Sequence, residues 1–126
     1  MILHDWQRAV IEEVFGCKVA NRYGCEEVSL IASECEEHNG LHINADSLYT
    51  EIASDGKLLI TDFINRAMPL IRYEVGDVVV PSSRVCKCGR GLPLIERVEG
   101  READYVVTPA GNLISGISLT ENFSNL

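Results

Sequence analysis

Lysine is scarce in this chain, occurring only at Lys18, Lys57 and Lys87 among 126 residues. Eleven basic residues face nineteen acidic ones, for a net charge of -8, and no basic run appears. A nucleic-acid partner is therefore not expected, because such a face needs clustered Lys and Arg to displace counterions from phosphates. Long apolar runs are also lacking. Stretches such as 57–61 and 77–81 hold three or four apolar residues, where a membrane span needs about twenty. No charged-then-apolar leader opens the chain, and Asp5 and Glu12 stand where one would lie. A cytoplasmic protein without membrane contact is expected. Walker, Gly-x-Ser-x-Gly and His-Glu-x-x-His patterns are missing, and Gly89-Arg90-Gly91 is too short to cradle a phosphate.

What is present is ordinary globular material. Apolar residues make up 46% and charged residues 24%, which fits one domain of roughly 100–150 residues with a real core. Trp6, Val10 and Val14 recur at helical spacing with Leu3 and Ala9 beside them, and Gln7, Arg8, Glu12 and Glu13 lie opposite. Asp5 is the expected N-cap and Gly16 the stop. After Cys17 the pattern changes to short strands. Leu41, Ile43 and Ala45 alternate with His42 and Asn44, and 48–52 and 57–61 flank a Ser54-Asp55-Gly56 turn, as in a hairpin. Further strands are expected at 69–75, 77–80, 94–98, 104–108 and 113–115, with a turn at 109–112 and a polar tail from Thr120. The expected fold is mostly β: a small antiparallel barrel or sheet with one N-terminal helix docked on it.

Three clusters could carry chemistry. In Asn21-Arg22-Tyr23-Gly24-Cys25-Glu26-Glu27, an aromatic before a glycine could stack a planar ring, and the carboxylates could hold a hard cation. The plainer alternative is a strand end turning into a solvated acidic patch. In Pro69-Leu70-Ile71-Arg72-Tyr73-Glu74-Val75-Gly76-Asp77, an Asp held after a flexible glycine can accept hydrogen bonds from a vicinal diol, or can simply be a hairpin-turn residue. The third cluster is Cys86-Lys87-Cys88-Gly89 with Cys35, His38 and His42 upstream. Five cysteines are an odd number in a chain that does not need disulfides. Cys35, His42, Cys86 and Cys88 would give zinc the four N/S ligands it prefers. His38 could replace His42, Cys17 and Cys25 are expected bystanders, and the alternative is a set of plain reduced thiols.

Together with Gly56-Lys57-Leu58-Leu59-Ile60-Thr61-Asp62 and Gly100-Arg101, these clusters stand in an order that resembles adenylate-forming enzymes. The branch is that of phenylacetate–CoA ligase, with its coenzyme F390 synthetase and CapK-like capsular polysaccharide relatives. The resemblance runs from Val14 to about Ser115. It implies that a carboxylate attacks the α-phosphate of ATP to give an acyl-adenylate, from which the CoA thiol displaces AMP. By the same resemblance, Tyr23 lies against adenine with Asn21 and Gly24 shaping that edge, Asp77 and Arg101 serve the ribose, and Glu27 binds magnesium. The Cys and His pattern resembles that of zinc-carrying members.

The chain departs from the family at several points. Glu26 replaces the usual Thr before the magnesium glutamate, and a second carboxylate there repels phosphate. Ala103 replaces the usual hinge Asp or Lys, with Asp104 following. No Ser/Thr/Gly-rich phosphate loop precedes Tyr23, and no lysine follows Lys87. The resemblance therefore implies a fragment, residues 1–126 being the C-terminal part of the large AMP-binding domain and ending at or just past the hinge. Such a piece is not expected to complete adenylation alone. It is expected to self-associate through faces that the rest of a ligase would cover. The competing expectation is a zinc-stabilised β domain that serves as a non-catalytic binding or assembly module.

Overall fold

The computed structural model describes residues 3–101, 105–109, 111 and 113–115. One helix, α1 (Asp5–Phe15), precedes β1 (Arg22–Cys25), β2 (Ser29–Glu34), β3 (Leu41–Ile43), β4 (Leu48–Ile52), β5 (Lys57–Asp62), β6 (Tyr73–Ser82) and β7 (Leu94–Arg101). Two short strands, β8 (Tyr105–Val107) and β9 (Leu113–Ser115), pair separately. The seven strands form one antiparallel sheet in the order β1-β2-β3-β7-β6-β5-β4. The sheet is open: β1 and β4 are its edges, so the barrel alternative is set aside. The hinge positions Ala103 and Asp104 and the tail from Thr120 lie outside the described residues.

The core follows from strand alternation. On β5, Leu58 and Ile60 are fully buried between less buried neighbours, and they meet Val75 and Val79 of β6, Ile95 of β7, Leu41 and Ile43 of β3 and Ile31 of β2. The 48–52/57–61 hairpin forms as expected, with Gly56 at φ +85 in its turn. Position His42 departs from the expected alternation. It is buried along with both neighbours, because β3 pairs on both sides and its second face is covered by a cluster of Cys35, Cys86, Leu94 and Cys88.

The helix is oriented opposite to expectation. It buries no residue, and Trp6, Val10 and Val14 are exposed. Its polar side holds it instead. The Arg8 guanidinium donates to both Glu34 carboxylate oxygens at 2.8 Å and also to the Val19 carbonyl. Glu12 accepts the Val19 N–H at 2.9 Å. The N-cap is His4 rather than Asp5, which is the first helical residue. Gln7 reaches back to accept the His4 N–H at 3.0 Å, and the Asp5 carboxylate falls within the first turn, where the helix dipole favours it. Gly16 ends the helix in a left-handed cap, as expected.

The separate strands expected at 69–75 and 77–80 are one strand, β6, with no turn at Gly76. Against β5, Lys57 faces Val78 and Leu59 faces Glu74, so β6 bulges between these rungs, with Gly76 at φ +83 inside the bulge.

Candidate functional site

Two local irregularities build an open cleft beside β1. The first is in β1 itself, where Tyr23 pairs with Ala32 and Gly24 with Leu30, skipping a residue. A Cβ on Gly24 would lie 2.1 Å from the Ser29 carbonyl oxygen, so only glycine lets β1 approach β2 here. The second is the β6 bulge, which carries Asp77 beside Arg101, its cross-strand partner on β7. The Tyr23 hydroxyl donates to Asp77 Oδ2 at 2.7 Å, and Arg101 Nε lies 3.7 Å from Asp77 Oδ1. The Tyr73 hydroxyl donates to Glu27 Oε1 at 3.0 Å.

Asn21, Tyr23, Gly24, Glu27, Asp77 and Arg101 all line this one cleft, although up to eighty positions separate them in sequence. Sequence reading missed Tyr73, which lay inside a quoted motif but had no assigned role. It also missed Glu34, whose Oε2 accepts the Asn21 N–H at 2.8 Å and so sets the strand that carries Tyr23.

Burial, reinforced by the hydrogen bond to Asp77, pushes the Tyr23 phenol far above its ordinary range, so it is a fixed donor. The Glu27 backbone N–H, then Cys25 and Tyr73, hold the Glu27 carboxyl below the usual value. It is thus an anionic oxygen ligand of the kind a hard dication takes. Burial would raise Glu34, but the Asn21 N–H, Arg8 and His38 outweigh it and hold that carboxyl low.

A second constellation lies under β3. Donor atoms of Cys35, His42, Cys86 and Cys88 all fall within 4.8 Å of one another. Cys35 and Cys86 sulfurs are 3.6 Å apart, and Cys88 Sγ lies 3.4 Å from His42 Nε2. A zinc tetrahedron with bonds of about 2.3 Å to sulfur and about 2.0 Å to nitrogen has edges close to these lengths. Two matching turns present the sulfurs: His38 N–H donates to the Cys35 carbonyl and Gly89 N–H to the Cys86 carbonyl. The fourth residue of each turn sits at positive φ, +48 at His38 and +78 at Gly89. Backbone amides of Cys88 and Arg90 lie near the Cys86 and Cys88 sulfurs.

The donor set and spacing fit a tetrahedral zinc ion. Of the two histidines, the turn directs His38 away to Glu34 and Arg8, so His42 is the one that joins the thiols. Cys17 is exposed after α1, and Cys25 lies on β1 beside Glu27, so neither joins the cluster. No helix among the described residues is long and apolar enough to cross a membrane.

No family model matches the chain. Among characterised proteins, it is 30% identical over 125 residues to a phenylacetate-coenzyme A ligase of Thermus thermophilus, covering 86% of this chain and 28% of the relative. It is 27% identical to Protein CapK of Staphylococcus aureus, covering 94% and 27% respectively. A phenylacetate-coenzyme A ligase of Aromatoleum evansii is 30% identical, with 84% and 27% covered. Among solved structures, 2-hydroxyisobutyryl-CoA ligase in an open conformation with 2-HIB-AMP and CoA superposes with a TM-score of 0.74 at 23% identity. That match covers 98% of this chain and 32% of the ligase. The same ligase in its thioesterification state gives a TM-score of 0.69 over 96% and 28%. The chain spans little more than a quarter of its curated relatives. In sequence and in fold, it is the counterpart of one segment of the phenylacetate–CoA ligase-like adenylate-forming enzymes.

Proposed function

We propose that this chain forms the adenine, ribose and magnesium side of an acid–CoA ligase adenylation site. It would be the C-terminal part of the large AMP-binding domain, working in the cytoplasm. The observation that supports this most is the convergence of Tyr23, Asp77, Arg101 and Glu27 on one cleft through two backbone irregularities. In this reading the Tyr23 ring packs against adenine, with Asn21 and Gly24 shaping the edge. The Tyr23 hydroxyl keeps Asp77 aimed, so that its remaining acceptor capacity meets the ribose hydroxyls while Arg101 flanks them. Glu27, oriented by Tyr73, would hold the magnesium that accompanies ATP. That ion, when bound, offsets charge on the phosphates.

These 126 residues hold no lysine after Lys87. The chain alone is therefore proposed to bind nucleotide without turning it over, and acid substrate and CoA are engaged only with the rest of a ligase. Carboxylate-dependent exchange of pyrophosphate into ATP should stay at background. Exchange that is abolished by Glu27→Gln would overturn the claim of inactivity. Equilibrium dialysis with AMP should show saturable binding that Asp77→Ala weakens about 10–100-fold, as expected for loss of a charged hydrogen-bond acceptor.

The Cys35, His42, Cys86 and Cys88 set is proposed as a structural zinc centre. All four of its donors come from this chain, and that completeness supports the second reading, a zinc-stabilised binding or assembly module. Zinc binding without AMP binding would favour the module. The outward stripe of Trp6, Val10 and Val14 supports the proposed self-association. A monomer at high micromolar concentration in sedimentation would rule it out.

A further inference from the structure

The two turns that carry the cluster sulfurs are joined by one side-chain pair. Arg90 Nη1 donates to Glu36 Oε2 at 2.9 Å. Glu36 directly follows Cys35, and Arg90 lies two residues after Cys88, so the pair spans the gap between the ligand-bearing turns. The same guanidinium lies near the Cys88 sulfur. Both side chains are about half exposed or more, 47% for Arg90 and 64% for Glu36. A solvent-exposed ion pair of this kind contributes little to folding by itself.

The metal cluster has an asymmetric surround. A dication with three thiolates and a neutral imidazole carries a net charge of 2 − 3 = −1, and Cys35, Cys86 and His42 are buried. Such a centre needs outer groups that donate to its sulfurs or orient its imidazole. The imidazole side lacks one: His42 Nδ1 is buried with no hydrogen-bond partner among the described residues. On the sulfur side, the Arg90 guanidinium lies near Cys88, while Lys87 is exposed between the two cysteines.

We propose that Glu36 and Arg90 form an outer clamp on the Cys35–His42–Cys86–Cys88 centre. They fix the distance between its two turns and set a positive charge against the Cys88 sulfur, which strengthens binding of a thiophilic dication. Both are positioning residues and contact the metal only through its ligands. The inference rests on the zinc reading above. It goes beyond that reading by assigning metal affinity to two exposed residues outside the ligand set.

The test is competition for Zn2+ between a chromophoric chelator and metal-stripped protein. Wild type is compared with Glu36→Gln, Arg90→Gln and Arg90→Lys, and with Arg97→Gln as an exposed control. Glu36→Gln and Arg90→Gln should bind Zn2+ about 10-fold more weakly, at the lower end of what outer-shell groups contribute. Arg90→Lys should recover part of the loss by keeping the charge, and Arg97→Gln should match wild type. The metal-free forms should melt together, separating an effect on the centre from one on the fold. In Co2+-loaded protein, the sulfur-to-metal charge-transfer band should shift in Arg90→Gln and not in Arg97→Gln. Equal Zn2+ affinities and unshifted bands across all variants would overturn the clamp while leaving the zinc reading intact. A wild-type protein that takes up neither metal would overturn the zinc reading, and the clamp with it.

Discussion

If α1 is held by its polar face, breaking one ion pair should free it, and trimming its apolar stripe should not. The pair is Arg8–Glu34, with side chains 21% and 10% exposed and two contacts of 2.8 Å. Charge-assisted hydrogen bonds contribute about 1.5–3 kcal/mol each, and the cost of desolvating both ions cancels a good part of the sum. Arg8→Met should therefore destabilise the attachment of α1 by about 2–3 kcal/mol. Glu34→Gln should cost less, since the amide oxygen can still accept the Asn21 N–H. A double-mutant cycle should return a coupling of about 2 kcal/mol, against the 0.2–1 kcal/mol typical of exposed pairs. Hydrogen exchange is the appropriate assay, because the helix opens locally before the sheet does. Amides of α1 should lose protection in Arg8→Met while those of β5 and β6 keep theirs. Val10→Ser, at a half-exposed site, should leave both unchanged within about 0.5 kcal/mol. A coupling below about 0.5 kcal/mol, or helix protection lost in Val10→Ser but kept in Arg8→Met, would refute the reasoning.

Other consequences are separate. Gly24→Ala places a methyl 2.1 Å from the Ser29 carbonyl. The strands must part, costing about 1–3 kcal/mol, and AMP binding should fall with the denaturation midpoint; a wild-type midpoint would contradict the close approach. Glu34 has a depressed carboxyl pKa, so its stabilisation is present above the unfolded value of about 4.3 and is lost as pH falls through the folded one. Glu34→Gln should therefore flatten the acid limb of a stability-versus-pH curve, and parallel limbs would count against that assignment. Stripping zinc should lower the melting temperature by roughly 10–15 °C, since a metal held 1,000-fold above its Kd contributes about 4 kcal/mol. Cys35→Ser should show no such response to chelator.

The parts of this fold legible in the sequence were those set by local chemistry. The hairpin at β4 and β5 follows from alternation around Ser54-Asp55-Gly56, and the helix from its spacing and Gly16. Which way the helix faces was not legible. An apolar stripe marks a face to be covered, and in this chain the ion pair to Glu34, twenty-six residues away, decides what covers which side. Gly76 looked like a turn because a glycine before Asp serves turns and bulges alike, and only the register against β5 distinguishes them. His42 looked like a solvent-side residue because alternation presumes one open face. In this chain the main core covers one face of β3, and the distant Cys35, Cys86, Leu94 and Cys88 cluster covers the other. The candidate cleft was legible as separate motifs, but the contacts that join them, Tyr23 to Asp77 and Tyr73 to Glu27, depend on the two bulges.

The central claim is that one cleft of this chain recognises a nucleotide. An amide-resolved NMR titration of zinc-loaded protein with AMP and Mg2+ tests it most directly. Saturable shifts should concentrate on Tyr23, Gly24, Glu27, Asp77 and Arg101, and vanish in Asp77→Ala, with the amides of β4 unmoved. Shifts spread over the surface, or a titration that leaves those five amides in place, would contradict the claim.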